Sequence, residues 1–110
     1  MRNYMAYEVD DKRKFPRLPL EVQVNYKENG FANSKDISSG GICLITEEAL
    51  EKGKIYKLSF TFPGESDRFD CLGKVMRSKQ ASEHLHEAGL SFWDIEKSLQ
   101  KKIDSYFASA

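Results

Sequence analysis

Six short stretches of this chain alternate apolar and polar residues, and then the period changes. Leu18, Leu20, Val22, Val24 and Tyr26 fall two apart, as do Tyr56, Leu58, Phe60 and Phe62, and again Phe69, Cys71, Gly73 and Val75. A period of two places one set of side chains on one face of an extended strand, so each stretch predicts a half-buried strand. Turn residues separate them: Lys27-Glu28-Asn29-Gly30, whose Asn-Gly signals a hairpin, and Pro63-Gly64-Glu65-Ser66-Asp67. The expected strands are 18–26, 31–37 (less apolar, near an edge), 42–46, 54–62, 68–77 and 85–92. Strands recurring at intervals of roughly ten residues predict a small antiparallel barrel, since closure removes the edges that would template aggregation. Gly73 and Gly89 fit the bends a barrel requires.

Beyond Asp94 the period becomes helical. Ile95, Leu99, Ile103, Tyr106 and Phe107 recur at helical spacing, while Glu96, Lys97, Lys101 and Lys102 face away. Asp94 is the expected N-cap. The fold class is therefore an all-β core: a six-stranded antiparallel β-barrel over about 18–93, with a C-terminal α-helix over about 94–108 plugging an open end. The chain's 110 residues suit one domain and can bury a core without disulfide or metal staples.

Charge excludes one function class. Seventeen basic and seventeen acidic side chains cancel, so a general polyanion binder is not expected, and any anion site must arise from local clustering. Cys43 and Cys71 form no CxxC pair and sit in apolar stretches, where buried free thiols are expected. Residues 1–11 are polar apart from Tyr4, Met5, Tyr7 and Val9, and they carry Glu8, Asp10 and Asp11. They read as a flexible N-terminal arm rather than a secretory signal. No apolar stretch reaches the length of a membrane span, so a cytoplasmic protein without membrane insertion is expected.

The local clustering lies in Lys12-Arg13-Lys14-Phe15-Pro16-Arg17, where four of six residues are cationic. Pro16 fixes its own φ and favours an extended Phe15, which makes a stiff basic strap. Two arginines four apart can both reach one compact anion, each with a planar fork suited to phosphate or a guanine edge. A solvated charge run is the plain alternative. The second stretch is Asp36-Ile37-Ser38-Ser39-Gly40-Gly41. Its plain reading is a polar turn between strands. Chemically it offers a carboxylate and a hydroxyl on one face, beside glycines whose amides are bare to a close-approaching ligand. A carboxylate accepts from the paired N–H donors of guanine's Watson–Crick edge, while guanidinium donates to O6 and N7. The two stretches are complementary.

In that order and at that separation, Arg13-x-x-x-Arg17 and Asp36-x-Ser38-x-x-Gly41 resemble the paired signature of PilZ domains, six-stranded barrels that bind cyclic di-GMP. Phe15-Pro16 and Gly89-Leu90-Ser91-Phe92 agree with it, and the resemblance covers residues 12–110. It implies that Arg13 and Arg17 take the phosphates and guanine edges. Asp36 and Ser38 would hold a guanine base, and Gly41 would allow close approach. Lys12 stands where many relatives have another arginine, which leaves the ligand stoichiometry open. Lys12, Lys14, Ser39 and Gly40 are candidate peripheral contacts; Arg77 is a further candidate at the site's edge, though a solvated strand-end charge is its plainer reading. The strand from Gly73 to Arg77 offers no aromatic platform, so stacking would fall to guanidinium planes.

Other chemistries lack their signatures. His84 and His86 with Cys43 and Cys71 make a zinc tetrad without a tight cysteine pair, so no metal is expected. A triad from Asp36, Ser38 and a histidine lacks a nucleophile elbow, so no catalytic residue, no cofactor and no enzyme are expected. A small nucleic-acid-binding barrel needs exposed aromatics, whereas Tyr56, Phe60, Phe62, Phe69 and Phe92 fall on core faces; no DNA or RNA partner is expected. A PilZ-like interaction module that does not bind the nucleotide is the remaining rival. The expected function is a cyclic di-GMP receptor/adaptor that changes conformation on binding and regulates an unidentified effector protein in trans, as a monomer or ligand-dependent dimer.

Overall fold

In the computed structural model, which describes residues 17–27 and 30–109, the first alternating stretch forms two strands rather than one. These are β1 (Leu18–Pro19) and β2 (Gln23–Lys27), and both pair antiparallel with β3 (Gly30–Ile37). Ile37 pairs with Leu18 on one side and with Ile42 on the other; Asn33 likewise pairs with Gln23 and Ile45. β1 and β2 therefore lie on the same side of β3 and fill one barrel position between them. The interruption begins at Pro19, which has no N–H for a ladder. Ser34 repairs it: its Oγ accepts from the Val22 N–H at 3.0 Å and donates to the Leu20 carbonyl. Leu20 is thereby turned wholly into the core.

The remaining strands are β4 (Gly41–Thr46), β5 (Ile55–Thr61), β6 (Arg68–Gln80) and β7 (His86–Trp93). Neighbouring positions run β3, β2, β5, β6, β7, β4, and β4 pairs back onto β3, so the six positions close into an antiparallel barrel. The inward set includes Val24, Ile37, Ile42, Leu44, Leu58, Val75 and Leu90, all fully buried. Phe60 and Phe62 join the core, and Tyr56, Phe69 and Phe92 pack against it from partly buried positions, as the alternation predicts.

Helix α1 (Lys97–Ser109) covers the barrel end at which β7 leaves, inserting Leu99 and Ile103 among the core side chains. Its Tyr106 ring lies 5.4 Å from Phe62, and the Tyr106 hydroxyl donates to the Pro19 carbonyl at 2.9 Å. The helix starts later than expected, and Asp94 is not its cap. Asp94 has φ 55°, a left-handed backbone that short polar residues tolerate, and it turns the chain out of β7. The first helical hydrogen bond instead runs from the Gln100 N–H to the Glu96 carbonyl at 3.0 Å.

Both thiols are buried, as expected: burial pushes Cys43 up to about 11 and Cys71 up to about 12. No helix among the described residues is long and apolar enough to cross a membrane. The arm 1–11, the strap residues 12–16 and the turn residues Glu28 and Asn29 lie outside the described residues. Because Leu99 is fully buried where α1 meets the barrel, Leu99→Ala is expected to lower unfolding stability by about 2–5 kcal/mol, read as a shifted urea midpoint.

Candidate functional site

The site is built on the hairpin formed by β3 and β4. Opposite β4, the register of β3 slips by one residue between Ser34, paired with Leu44, and Asp36, paired with Cys43. An unbroken alternation would send Asp36 inward and Ile37 outward. The extra residue instead puts Asp36 on the outer face together with Lys35. There it meets Arg17, whose Nη1 donates to Asp36 Oδ1 at 2.8 Å. The two side chains are only 14% and 21% exposed, so the pair is held in place rather than loosely solvated. Arg17 Nε is buried and has no hydrogen-bond partner among the described residues. A guanidinium N–H left so costs free energy until an acceptor reaches it.

Ser38 does not share Asp36's face. It is 2% exposed and turned into the hairpin, where its Oγ accepts from the Gly40 and Gly41 N–H groups at 3.2 Å each. The turn amides expected to be bare are thus satisfied by the serine that precedes them. Gly41 is required by packing: a Cβ there would lie 2.2 Å from the Leu90 carbonyl oxygen. The Phe92 N–H bonds the Gly40 carbonyl at 2.9 Å, binding the turn to β7. Ser39 and Gly40 remain partly exposed at its tip.

The pairing registers carry the outer face across the barrel. Asp36 pairs with Cys43, Cys43 with Gly89, and Gly89 with Arg77. A second slip, in β6 between Val75 and Arg77, turns Arg77 outward as the first turned Asp36. Gly89 lets the Arg77 side chain lie flat, since a Cβ at Gly89 would sit 2.4 Å from Arg77 Nη1. One row further on, Gly41 pairs with Ser91. Between Asp36 and Arg77, about 14 Å apart at three strand spacings, lies a floor of Cys43, Gly89, Gly41 and Ser91. Their own side chains are small, and the Arg77 side chain lies across the floor at Gly89.

A pair of opposite charges bounds this floor. Lys35 Nζ donates to Glu87 Oε1 at 3.2 Å. Burial pushes the Glu87 carboxyl up, but Lys35 and Lys79 outweigh it and hold it below its ordinary value. Glu87 is therefore ionised beside Cys43. Cationic groups at the two ends of a flat floor, with a carboxylate at one of them, can take a planar anion that also carries hydrogen-bond donors.

Of the sequence candidates, the structure brings Arg17 and Asp36 together and sets Arg77 across the floor from them. Ser38, Ser39, Gly40 and Gly41 form the adjoining turn. Arg13, Lys12 and Lys14 lie outside the described residues. Cys43, Gly89 and Ser91 were not singled out as floor residues. Gly89 opposite Arg77 was the available signal, but recognising it requires the strand register.

A family model for the PilZ domain matches residues 11–109. No curated protein matches the chain. Among solved structures, the chain is similar to the Bacillus subtilis inhibitor of motility MotI/DgrA, with a TM-score of 0.75 and 20% identity over 87% of this chain and 49% of that one. It is also similar to the PilZ domain of Escherichia coli YcgR with c-di-GMP, with a TM-score of 0.69 and 13% identity over 90% and 91% of the two chains. For the MrkH–c-di-GMP complex of K. pneumonia the TM-score is 0.70 and the identity 20%, over 89% of this chain and 52% of that one. The chain thus spans about half the length of MotI and of MrkH. These identities establish a shared fold.

Ser38→Ala would take the side-chain acceptor from the Gly40 amide and leave the buried Gly41 amide only the Ser38 carbonyl at 3.4 Å. It is expected to cost about 1–3 kcal/mol in urea unfolding, whereas Ser39→Ala, at the partly exposed tip, should stay near wild type.

Proposed function

The chain belongs to the PilZ domain family, and from that premise we propose that it is a receptor for cyclic di-GMP that regulates a partner protein in trans. The observation that carries this reading is the Arg17 guanidinium, pinned by Asp36 at the edge of a flat floor, with a buried Nε–H that has no acceptor among the described residues. A phosphate oxygen of the ligand supplies that acceptor. The complexes of YcgR and MrkH with c-di-GMP support the choice of ligand.

In this proposal the roles are binding roles, with no bond made or broken. Arg13 and Arg17 neutralise the phosphates and donate to guanine O6 and N7. Asp36 accepts from the guanine donor edge through the oxygen that Arg17 leaves free. Ser38 holds Gly40 and Gly41 in the turn against which the base lies, and Arg77 meets the ligand from the far side. Lys12, Lys14 and Ser39 contribute at the periphery. Charge-assisted hydrogen bonds of roughly 1.5–3 kcal/mol each offset the ordering of the strap. A strap drawn over the floor presents a new surface, which the partner reads.

Isothermal titration at moderate salt tests this. The wild type is expected to bind cyclic di-GMP, and the Arg13→Ala, Arg17→Ala double variant to lose binding. No binding by the wild type, or full binding by the double variant, would overturn the proposal. A second titration separates base reading from charge: Asp36→Ala is expected to weaken cyclic di-GMP more than inorganic triphosphate. Equal losses for the two ligands would mean a site that reads charge alone.

A further inference from the structure

The outer face of β5, β6 and β7 beside the floor carries a patch that the nucleotide site does not use. Ile55, Leu72, Met76 and Trp93 are four of the six large apolar side chains exposed among the described residues. The registers make them neighbours: Leu72 pairs with Trp93 on one side and Lys57 on the other, and Ile55 pairs with Lys74, next but one to Met76 along β6. Trp93, 44% exposed, has the Lys74 ammonium 5.3 Å above its ring. The bordering acids are Asp70, which has Arg68 at 3.9 Å, and Asp94. An aromatic and aliphatic surface studded with Lys57 and Lys74 suits an occupant that is apolar and acidic together.

We propose that the occupant is this chain's own residues 4–11, docking on the Trp93 face. Their composition is complementary: Tyr4, Met5, Tyr7 and Val9 supply apolar surface, and Glu8, Asp10 and Asp11 supply three carboxylates. Chain direction agrees. β1 runs antiparallel to β3, so Arg17 stands at the barrel end that holds the Ser38–Gly41 turn, and Trp93 lies at that same end, two residues beyond Ser91. Reach agrees as well. β1 and β7 are three strand spacings apart, about 15 Å, and five extended residues, 12–16, span about 17 Å. A second copy of the chain fits poorly, because it would set Lys57 and Lys74 against their own counterparts. The route from β1 to β7 crosses the floor, so the docked arm belongs to the nucleotide-free state and its test is run without nucleotide.

Trp93 is the chain's one tryptophan, so its emission reports the patch alone. In the full-length wild type, Trp93 is expected to resist acrylamide quenching. A full-length Tyr4→Ser, Tyr7→Ser variant and a full-length Glu8→Lys, Asp10→Lys, Asp11→Lys variant should both show steeper quenching and red-shifted emission. Lys57→Glu, which leaves the Lys74–Trp93 contact in place, should do the same, and adding Asp10→Lys to it should restore part of the protection. High salt should weaken the charge-dependent share. Unchanged quenching in both arm variants would overturn the proposal. Protection that grows with protein concentration would overturn it in favour of self-association, and protection that requires anionic vesicles would overturn it in favour of a lipid surface.

Discussion

One extra residue in β3 decides which way Asp36 points. In a closed barrel every strand has an inner and an outer face, and a slip of one position exchanges them. Had β3 kept its alternation opposite β4, the carboxylate would face a core of Ile42, Leu44 and Leu90, where an unpaired charge is costly, and Ile37 would be turned outward. With the slip, Asp36 reaches the surface, Arg17 reaches Asp36, and the strap is fastened at its C-terminal end. The matching slip in β6 does the same for Arg77. The barrel thus presents Asp36 at one edge of a floor of small residues and Arg77 at the other, with the Arg77 side chain lying over Gly89.

Two serines keep this geometry from unravelling. Ser34 bridges the break that Pro19 makes in the first strand, and Ser38 satisfies two amides of the turn that follows Asp36. Both hydroxyls are buried and fully engaged, so they serve the backbone that carries the charged groups. The contrast with Arg17 Nε is informative. Among the described residues, only Arg17 Nε and the Ser59 hydroxyl in β5 are buried side-chain polar atoms without a hydrogen-bond partner, and of the two only Arg17 stands at the edge of the floor.

The strands were legible because alternation survives wherever one face is buried, and the helix because its period is different. The resemblance of the paired motifs to PilZ domains pointed to the right family from residues spread over the first third of the chain. The features that escaped all depend on register. Lys35 and Asp36 are both polar, so nothing in their order reveals that they share a face. Ser38 read as a group on the ligand's side because strand alternation was carried past the end of β3 into the turn. Asp94 read as a cap because it is a good capping residue, whereas a sharp exit from β7 needed its tolerance of positive φ. The split of the first strand was hidden because Leu20 and Val22 keep the alternation even where the ladder is broken.

The balance of charge across the chain then acquires a physical meaning. With no net charge to draw anions from a distance, recognition must come from groups already in place when a ligand arrives. Arg17 meets that requirement, because its ion pair with Asp36 has fixed the guanidinium before any ligand arrives. The same pair sets a condition on the ligand. A bare phosphate contending for Arg17 faces the Asp36 carboxylate at close range. A ligand that offers hydrogen-bond donors to Asp36 and an acceptor to Arg17 keeps both groups satisfied and meets no such opposition. In the proposed site the Arg17–Asp36 pair would therefore act as a selectivity element, favouring anions that carry a donor edge over anions that carry charge alone.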